Sequence, residues 1–246
     1  MADDKKHLRA ILSDCRAAFA PERAAEWSAV VQRQVLASDF YRDARTIVPY
    51  AAQQNNQQEV ATSLVLEHAL GSGRAVFFPR LESGRDGARR IVAARIRDAG
   101  ALVPGAFGIL EPNADAEVAE PSALGAASTL ICVPGLAFTL EGDRLGRGGG
   151  HYDRFLAEAG PEAISVGFAY SFQLLDRIPR EASDARLNFI VTESAVHRAC
   201  DAPLPAPRTR TEEVHPGDVD SSNPGIHRWW RGLIRMGNFA AAHGRR

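Results

Sequence analysis

"STLICVPGLAFTLEGDRLGRGGGHYDRFL", residues 128–156, carries three kinds of sequence in succession. "STLICVP" is a continuous apolar run of buried-strand length. Residues 141–150 then carry Gly142, Gly146, Gly148, Gly149 and Gly150, with Arg144 and Arg147 among them, and "HYDRFLAEAG" reads as a helix. A strand, a glycine-rich loop and a helix in that order suit a phosphate group. Missing side chains let backbone N–H groups approach, and the helix N-terminus is electropositive. Arg144 and Arg147 add charge for a polyanion, and Asp153, just inside the helix, can hold a magnesium ion that bridges phosphate oxygens. Two structural alternatives stand beside this reading. The loop can be a surface turn whose glycines only permit left-handed backbone, and Asp153 can be an acid that offsets the helix dipole. The spacing matches neither the Walker A loop nor the dinucleotide fingerprint.

Outward from this stretch the same alternation recurs. Residues 3–19 and 21–37 space their apolar positions as two amphipathic helices, with Pro21 suited to a first turn. "RTIVPY" (45–50) is a strand, "QEVATSLVLEHALGSG" a helix from Gln58 to near Gly71, and "RAVFFP" (74–79) a strand. "RRIVAARIR" (89–97) alternates as a strand with one solvated face, and "AISVGFAY" (163–170) and "LNFIVT" (187–192) are two more. Alternating strands and helices predict an α/β fold: a three-layer αβα sandwich around a largely parallel sheet with right-handed crossovers. No internal repeat is present.

The composition sets bounds on this. The 246 residues, 45 % hydrophobic and 24 % charged, are ordinary for a globular chain, and length favours one sizeable domain plus a tail. A formal net charge of −1 gives no global reason to expect nucleic acid as a partner. Cys15, Cys132 and Cys200 are far apart and form no C-x-x-C pair, so neither a zinc site nor a disulfide framework is signalled. "MADDKKHLRAILSD" lacks an apolar segment of signal-peptide length, and no segment is long and apolar enough for a membrane helix; a cytoplasmic protein is expected.

After about Ala199 the composition changes. "DAPLPAPRTRTEEVHPGDVDSSNPG" reads as a linker, and "HRWWRGLIRMGNFAAAHGRR" carries five arginines and no acid. The expected organisation is a domain over residues 1–199 and a basic, tryptophan-containing tail over 200–246. For the tail two readings stand: a flexible extension, or a short helix on which Trp229, Trp230, Leu233, Ile234 and Phe239 dock against the domain or an acidic protein partner.

On the first helix Lys5 and Arg9 lie at i and i+4, where they share a face and together reach a triphosphate, or else form a solvated basic face. No G-x-S-x-G elbow exists, and His151 has no evident Ser or Cys partner, so nucleophilic catalysis is not indicated.

"VPGLAFTLEGDRLGRGGGHYDRFL" closely resembles the signature of the 5-formyltetrahydrofolate cyclo-ligase family, also called methenyltetrahydrofolate synthetases. In that family a P-G-x-A-F segment precedes G-x-R-L-G-x-G-x-G-x-Y-D. "KHLR", "QEVAT", "FFPRL", "GAFGILEP" and the late "SD" and "VTE" follow in the family's order, so the resemblance covers about residues 5–193. It implies an αβα sandwich that uses ATP and magnesium to turn 5-formyltetrahydrofolate into 5,10-methenyltetrahydrofolate, through an iminium phosphate formed on the formyl oxygen. The implied partners are these small molecules, with no membrane and no nucleic acid.

Carried over by position, the resemblance puts ATP on Lys5, Arg9, Arg144, Leu145, Gly146, Arg147, Gly148, Gly149, Gly150, His151 and Tyr152. It puts the reduced folate on Glu59 and Tyr152, and magnesium on Asp153 and Asp184. Arg144, Arg147 and Tyr152 become the catalytic groups. Three positions depart from the family pattern: Ala61 where a second acid is common, Ser183 where a histidine precedes the late aspartate, and His151 where many relatives have tyrosine.

Overall fold

A computed structural model describes residues 2–199 except 53–57, 85–86, 88, 106–108 and 126–127. Cys200 and the whole tail, with the readings made of it above, lie outside the described residues.

The first two helices are α1 (Ala2–Ala17) and α2 (Pro21–Ala37), the latter starting with proline in its first turn as expected. A short α3 (Asp39–Asp43), capped by the Ser38 hydroxyl accepting from the Tyr41 N–H, leads into β1 (Thr46–Val48). Then come α4 (Ser63–Gly71), β2 (Ala75–Ser83) and β3 (Arg89–Ile96). Short strands β4 (Leu102–Pro104), β5 (Leu110–Pro112) and β6 (Val118–Ala119) precede α5 (Pro121–Gly125). The opening stretch supplies β7 (Thr129–Val133), a hairpin of β8 (Ala137–Phe138) and β9 (Arg144–Leu145), and α6 (His151–Ala159). Strands β10 (Ile164–Phe168), β11 (Phe189–Val191) and β12 (Val196–Arg198) complete the described chain.

Eight strands form one sheet in the order β12-β11-β10-β7-β1-β2-β3-β6. The five from β11 to β2 are mutually parallel, and β12, β3 and β6 add antiparallel edges. Because side chains alternate across a strand, β7 sends Leu130 and Cys132 to one face and Ile131 and Val133 to the other. The first face packs on Val31 and Val35 of α2 and on Val65 and Ala69 of α4. The second packs on Leu124 of α5 and on Phe155 and Ala159 of α6. The result is the three-layer αβα sandwich with a mostly parallel sheet. Helix α1 lies outside these layers, where Leu12 packs with Leu136, Ala137 and Leu145 of the β8–β9 hairpin.

Two expectations need correction. Strand β3 does not have one solvated face: Ile91, Val92, Ala93 and Ala94 are all buried, because β2 and β6 flank it and α6 packs on it. Helix α4 begins at Ser63 rather than Gln58, so Glu59 is not a first-turn acid. Tertiary bonds take the place of a helical turn there. The Tyr50 hydroxyl donates to the Val60 carbonyl at 2.6 Å, the Thr62 hydroxyl to the Tyr50 carbonyl at 2.5 Å, and the Ala61 N–H to the Ser28 hydroxyl of α2 at 2.8 Å.

Candidate active site

The chain leaves β1 for β2 on one side of the sheet, while β7 and β10 lie on β1's other side, so the topology switches between β1 and β7. Ligands of open α/β sheets bind beyond the carboxyl ends of strands at such a point. A cavity of about 640 Å³ lies there, lined by Tyr50 and Ala51 after β1 and by Pro134 and Gly135 after β7. Lys5, Arg9, Glu59, every residue of 144–153 and Asp184 also line it. The site residues expected from sequence therefore meet around one chamber.

At one end is the glycine loop. Gly150, with φ +63°, is the N-cap of α6 and offers no side-chain cap, so the first-turn N–H groups of the helix remain available to an anion. Arg9 Nε holds the loop from α1 through the Gly146 carbonyl at 2.9 Å, and Arg154 holds it through the Gly149 carbonyl at 3.1 Å. Arg144, 8 % exposed, donates from Nη2 to Asp153 Oδ1 at 2.8 Å and from Nη1 to the Pro134 carbonyl at 3.4 Å, with its guanidinium 5.7 Å from the Tyr152 ring centre. Its Nε has no hydrogen-bond partner among the described residues. Arg144 is thus aimed and held while keeping donor capacity. Burial pushes the Tyr152 phenol well up, so it stays protonated as a donor.

The Arg147 guanidinium has its pKa lowered by loss of water around it; the Glu59 charge opposes this and the Arg16 charge adds to it. A guanidinium remains charged regardless.

Beside the loop, Lys5 Nζ sits 2.8 Å from Asp184 Oδ2 and 3.0 Å from Glu181 Oε1. For Asp184, burial favours the neutral form, but the Lys5 hydrogen bond, the Glu181 N–H and the charges of Lys5 and Arg144 outweigh it and hold the carboxyl below its ordinary value. Lys5 is raised in turn: burial opposes its charge and the two carboxylates prevail. Among the described residues there is no cluster of three or more His, Cys, Asp or Glu side chains placed to hold a metal ion.

At the other end stands Glu59, its side chain 8 % exposed, with Arg16 Nη1 at 3.4 Å from Oε1. Pro79, Leu81, Ile91 and Leu110 give the chamber an apolar wall suited to an organic ring. Of the departures from the family pattern, His151 and Ser183 line the cavity; Ala61 does not, and its backbone is tied to Ser28 instead. Three participants were missed from sequence: Arg16, Glu181 and Arg154. Arg16 had a signal, because it continues the Lys5, Arg9, Leu12 stripe of α1.

An anion cradle that opens onto a chamber with an apolar wall and a buried carboxylate suits an enzyme that uses a phosphoanhydride on a second substrate held beside it, an α/β ligase. The chain belongs to the 5-formyltetrahydrofolate cyclo-ligase family, which matches it over residues 1–193. It is 31 % identical to the 5-formyltetrahydrofolate cyclo-ligase of Mycolicibacterium smegmatis over 188 residues, 76 % of this chain and 93 % of that one. It is 24 % identical to the mouse cyclo-ligase over 195 residues, 78 % of this chain and 94 % of that one. The solved 5,10-methenyltetrahydrofolate synthetase of Aquifex aeolicus superposes with a TM-score of 0.65 at 30 % identity, covering 86 % of this chain and 97 % of that one. Among the described residues no helix is long and apolar enough to cross a membrane.

Proposed function

We propose that this chain closes 5-formyltetrahydrofolate to 5,10-methenyltetrahydrofolate at the expense of ATP, releasing ADP and phosphate. The observation that carries the reading is the meeting of the glycine-arginine loop and the buried Glu59 on one cavity. A formamide oxygen is a poor leaving group and its carbon a poor electrophile. In the proposed sequence the formyl oxygen attacks the γ-phosphorus, and the bond to ADP breaks with its electrons leaving on ADP. The folate's N10 lone pair then attacks the resulting iminium carbon. The carbon–oxygen bond breaks, phosphate departs with that oxygen, and N10 gives up its proton.

Such chemistry needs positioning and charge neutralisation more than an activated nucleophile. Arg144, Arg147, Lys5 and Arg9, with the loop amides and the α6 N-terminus, would bind and orient the triphosphate. Tyr152, protonated and beside Arg144, would donate to the transferring group. Glu59 would accept from the paired donors of the pterin amide and amino group.

Asp153 and Asp184 fit magnesium by the chemistry of their donors. Among the described residues Asp153 accepts hydrogen bonds through Oδ1 and Asp184 through Oδ2, so the second oxygen of each could face a magnesium ion, which is commonly held by one or two carboxylates together with substrate phosphates. The ion would supply charge neutralisation on the phosphate oxygens.

The same reading assigns all chemistry to residues 1–199, leaves 200–246 as linker and tail, and places the protein in the cytoplasm. The deciding experiment mixes the protein with magnesium, ATP and 5-formyltetrahydrofolate and follows the methenyl chromophore and ADP. Equal amounts of both are expected; ADP without chromophore, or no reaction, refutes the assignment.

A further inference from the structure

Arg16 lies on the same stripe of α1 as Lys5 and Arg9, one turn beyond buried Leu12. Unlike those two it is not part of the cavity lining. It stands behind the wall, 1 % exposed, with Nη1 3.4 Å from Glu59 Oε1 and 3.2 Å from the Gly135 carbonyl oxygen. Taking a guanidinium out of water is unfavourable, and well-packed apolar residues often replace a buried ion pair at no loss of stability. A buried arginine with these partners therefore points to a role beyond packing.

These two partners belong to the two ends of the site. Glu59 faces the cavity, and Arg16 meets one of its carboxylate oxygens from behind the wall. The Gly135 carbonyl also accepts from Gln173 Nε2 at 3.1 Å, and the same amide reaches the Leu136 carbonyl at 3.0 Å. One residue earlier, the Pro134 carbonyl takes Arg144 Nη1. The strand-end segment 134–136 is thus held by Arg16 and Gln173 and itself seats the phosphate-end arginine. One guanidinium ties Glu59 to that segment.

We propose that Arg16 is a positioning residue for the reaction: it touches neither substrate and holds the Glu59 carboxylate in register with the segment that seats Arg144, so that the amide and amino donors of the pterin are recognised at the correct distance from the phosphoryl group. This rests on the functional reading above. Removing Arg16 should therefore damage use of the folate far more than use of ATP, which meets Arg144 and the loop directly.

The test uses the full chain in steady-state kinetics, with Arg16→Met, Arg16→Lys, Glu59→Gln and the Arg16→Met, Glu59→Gln double variant. Arg16→Met should raise KM for 5-formyltetrahydrofolate roughly tenfold to a hundredfold, the worth of a charged hydrogen bond, with KM for ATP near wild type. Arg16→Lys, which keeps the charge without the planar fork, should recover part of the loss. The double variant should be no worse than Glu59→Gln alone, because the two residues act as a unit. Should Arg16→Met fail to fold, Arg16→Gln and Arg16→Lys carry the same comparison. Equal rises in both KM values, or additive losses in the double variant, would overturn the positioning role alone. A wild-type chain that makes no methenyl product overturns the functional reading and this inference with it.

Discussion

Lys5 Nζ lies 2.8 Å from Asp184 Oδ2, joining helix α1 to a loop 179 positions later in the chain. The lysine assigned to phosphate and the aspartate assigned to magnesium thus neutralise each other before any nucleotide binds, and Glu181 adds a second, more exposed carboxylate at 3.0 Å. Magnesium-bound ATP would offer each a new counter-charge.

That pair sets a pH window. The Asp184 pKa is lowered on folding, so its stabilisation is present above the ordinary carboxylate value of 3.8 and is lost as pH falls through the lower folded value. The Lys5 pKa is raised, so its contribution is complete below the ordinary 10.5 and is lost as pH rises through the higher folded value. Thermal unfolding without nucleotide or divalent ions should show Asp184→Asn less stable than wild type at neutral pH, with the gap narrowing in acid. A gap that is constant down to strongly acidic pH would show that the charge on Asp184 contributes nothing to the fold.

Asp153 has two assigned duties, aiming Arg144 and holding magnesium. Asp153→Asn should lower turnover roughly tenfold to a hundredfold, because it weakens a charge-assisted bond to a buried guanidinium. It should also raise the magnesium concentration needed for half-maximal rate. Titrations of ATP and magnesium check this, and unchanged values in both would remove Asp153 from the phosphate end.

Gly135 owes its place to close approach rather than to backbone freedom. A Cβ there would meet the Phe138 ring at 2.5 Å, and that ring is fully buried against Gly167 and Leu187. Gly135→Ala should cost about 1–3 kcal/mol of stability through overpacking and displace the carbonyl that Arg16 and Gln173 share. Thermal unfolding measures the first effect and KM for the folate the second. A variant as stable as wild type would mean that the ring has room to move.

Truncation after Ala199 should leave cyclisation unchanged, since the described residues that line the cavity form a site among themselves and the family matches residues 1–193. Activity lost from a truncated chain that still unfolds cooperatively would assign the arginine-rich tail a part in the site and move the domain boundary.

What the sequence alone determined was local. Strand β7, the glycine loop and α6 were legible because an apolar run, glycine without side chains and helical spacing act over a few residues. The αβα class followed from the alternation of such segments. The positions of Lys5, Glu59 and Asp184 in one site came from resemblance to a family, since spacing alone favours a solvated basic face for Lys5 and leaves Glu59 open to being an acid in the first turn of a helix.

Tertiary structure decided the rest. Helix α4 starts five residues later than its pattern suggests, because Tyr50 and Ser28 take the backbone groups that a further turn would have used. Strand β3 is buried on both faces because distant segments cover it. Arg16 reads in sequence as one more polar residue on an amphipathic helix, and only the approach of Glu59, 43 positions away, and Gly135, 119 positions away, shows that its charge is inside. The physical reason is common to all three: the burial of a group, and the partner that makes its burial tolerable, depend on chain segments that local periodicity does not connect.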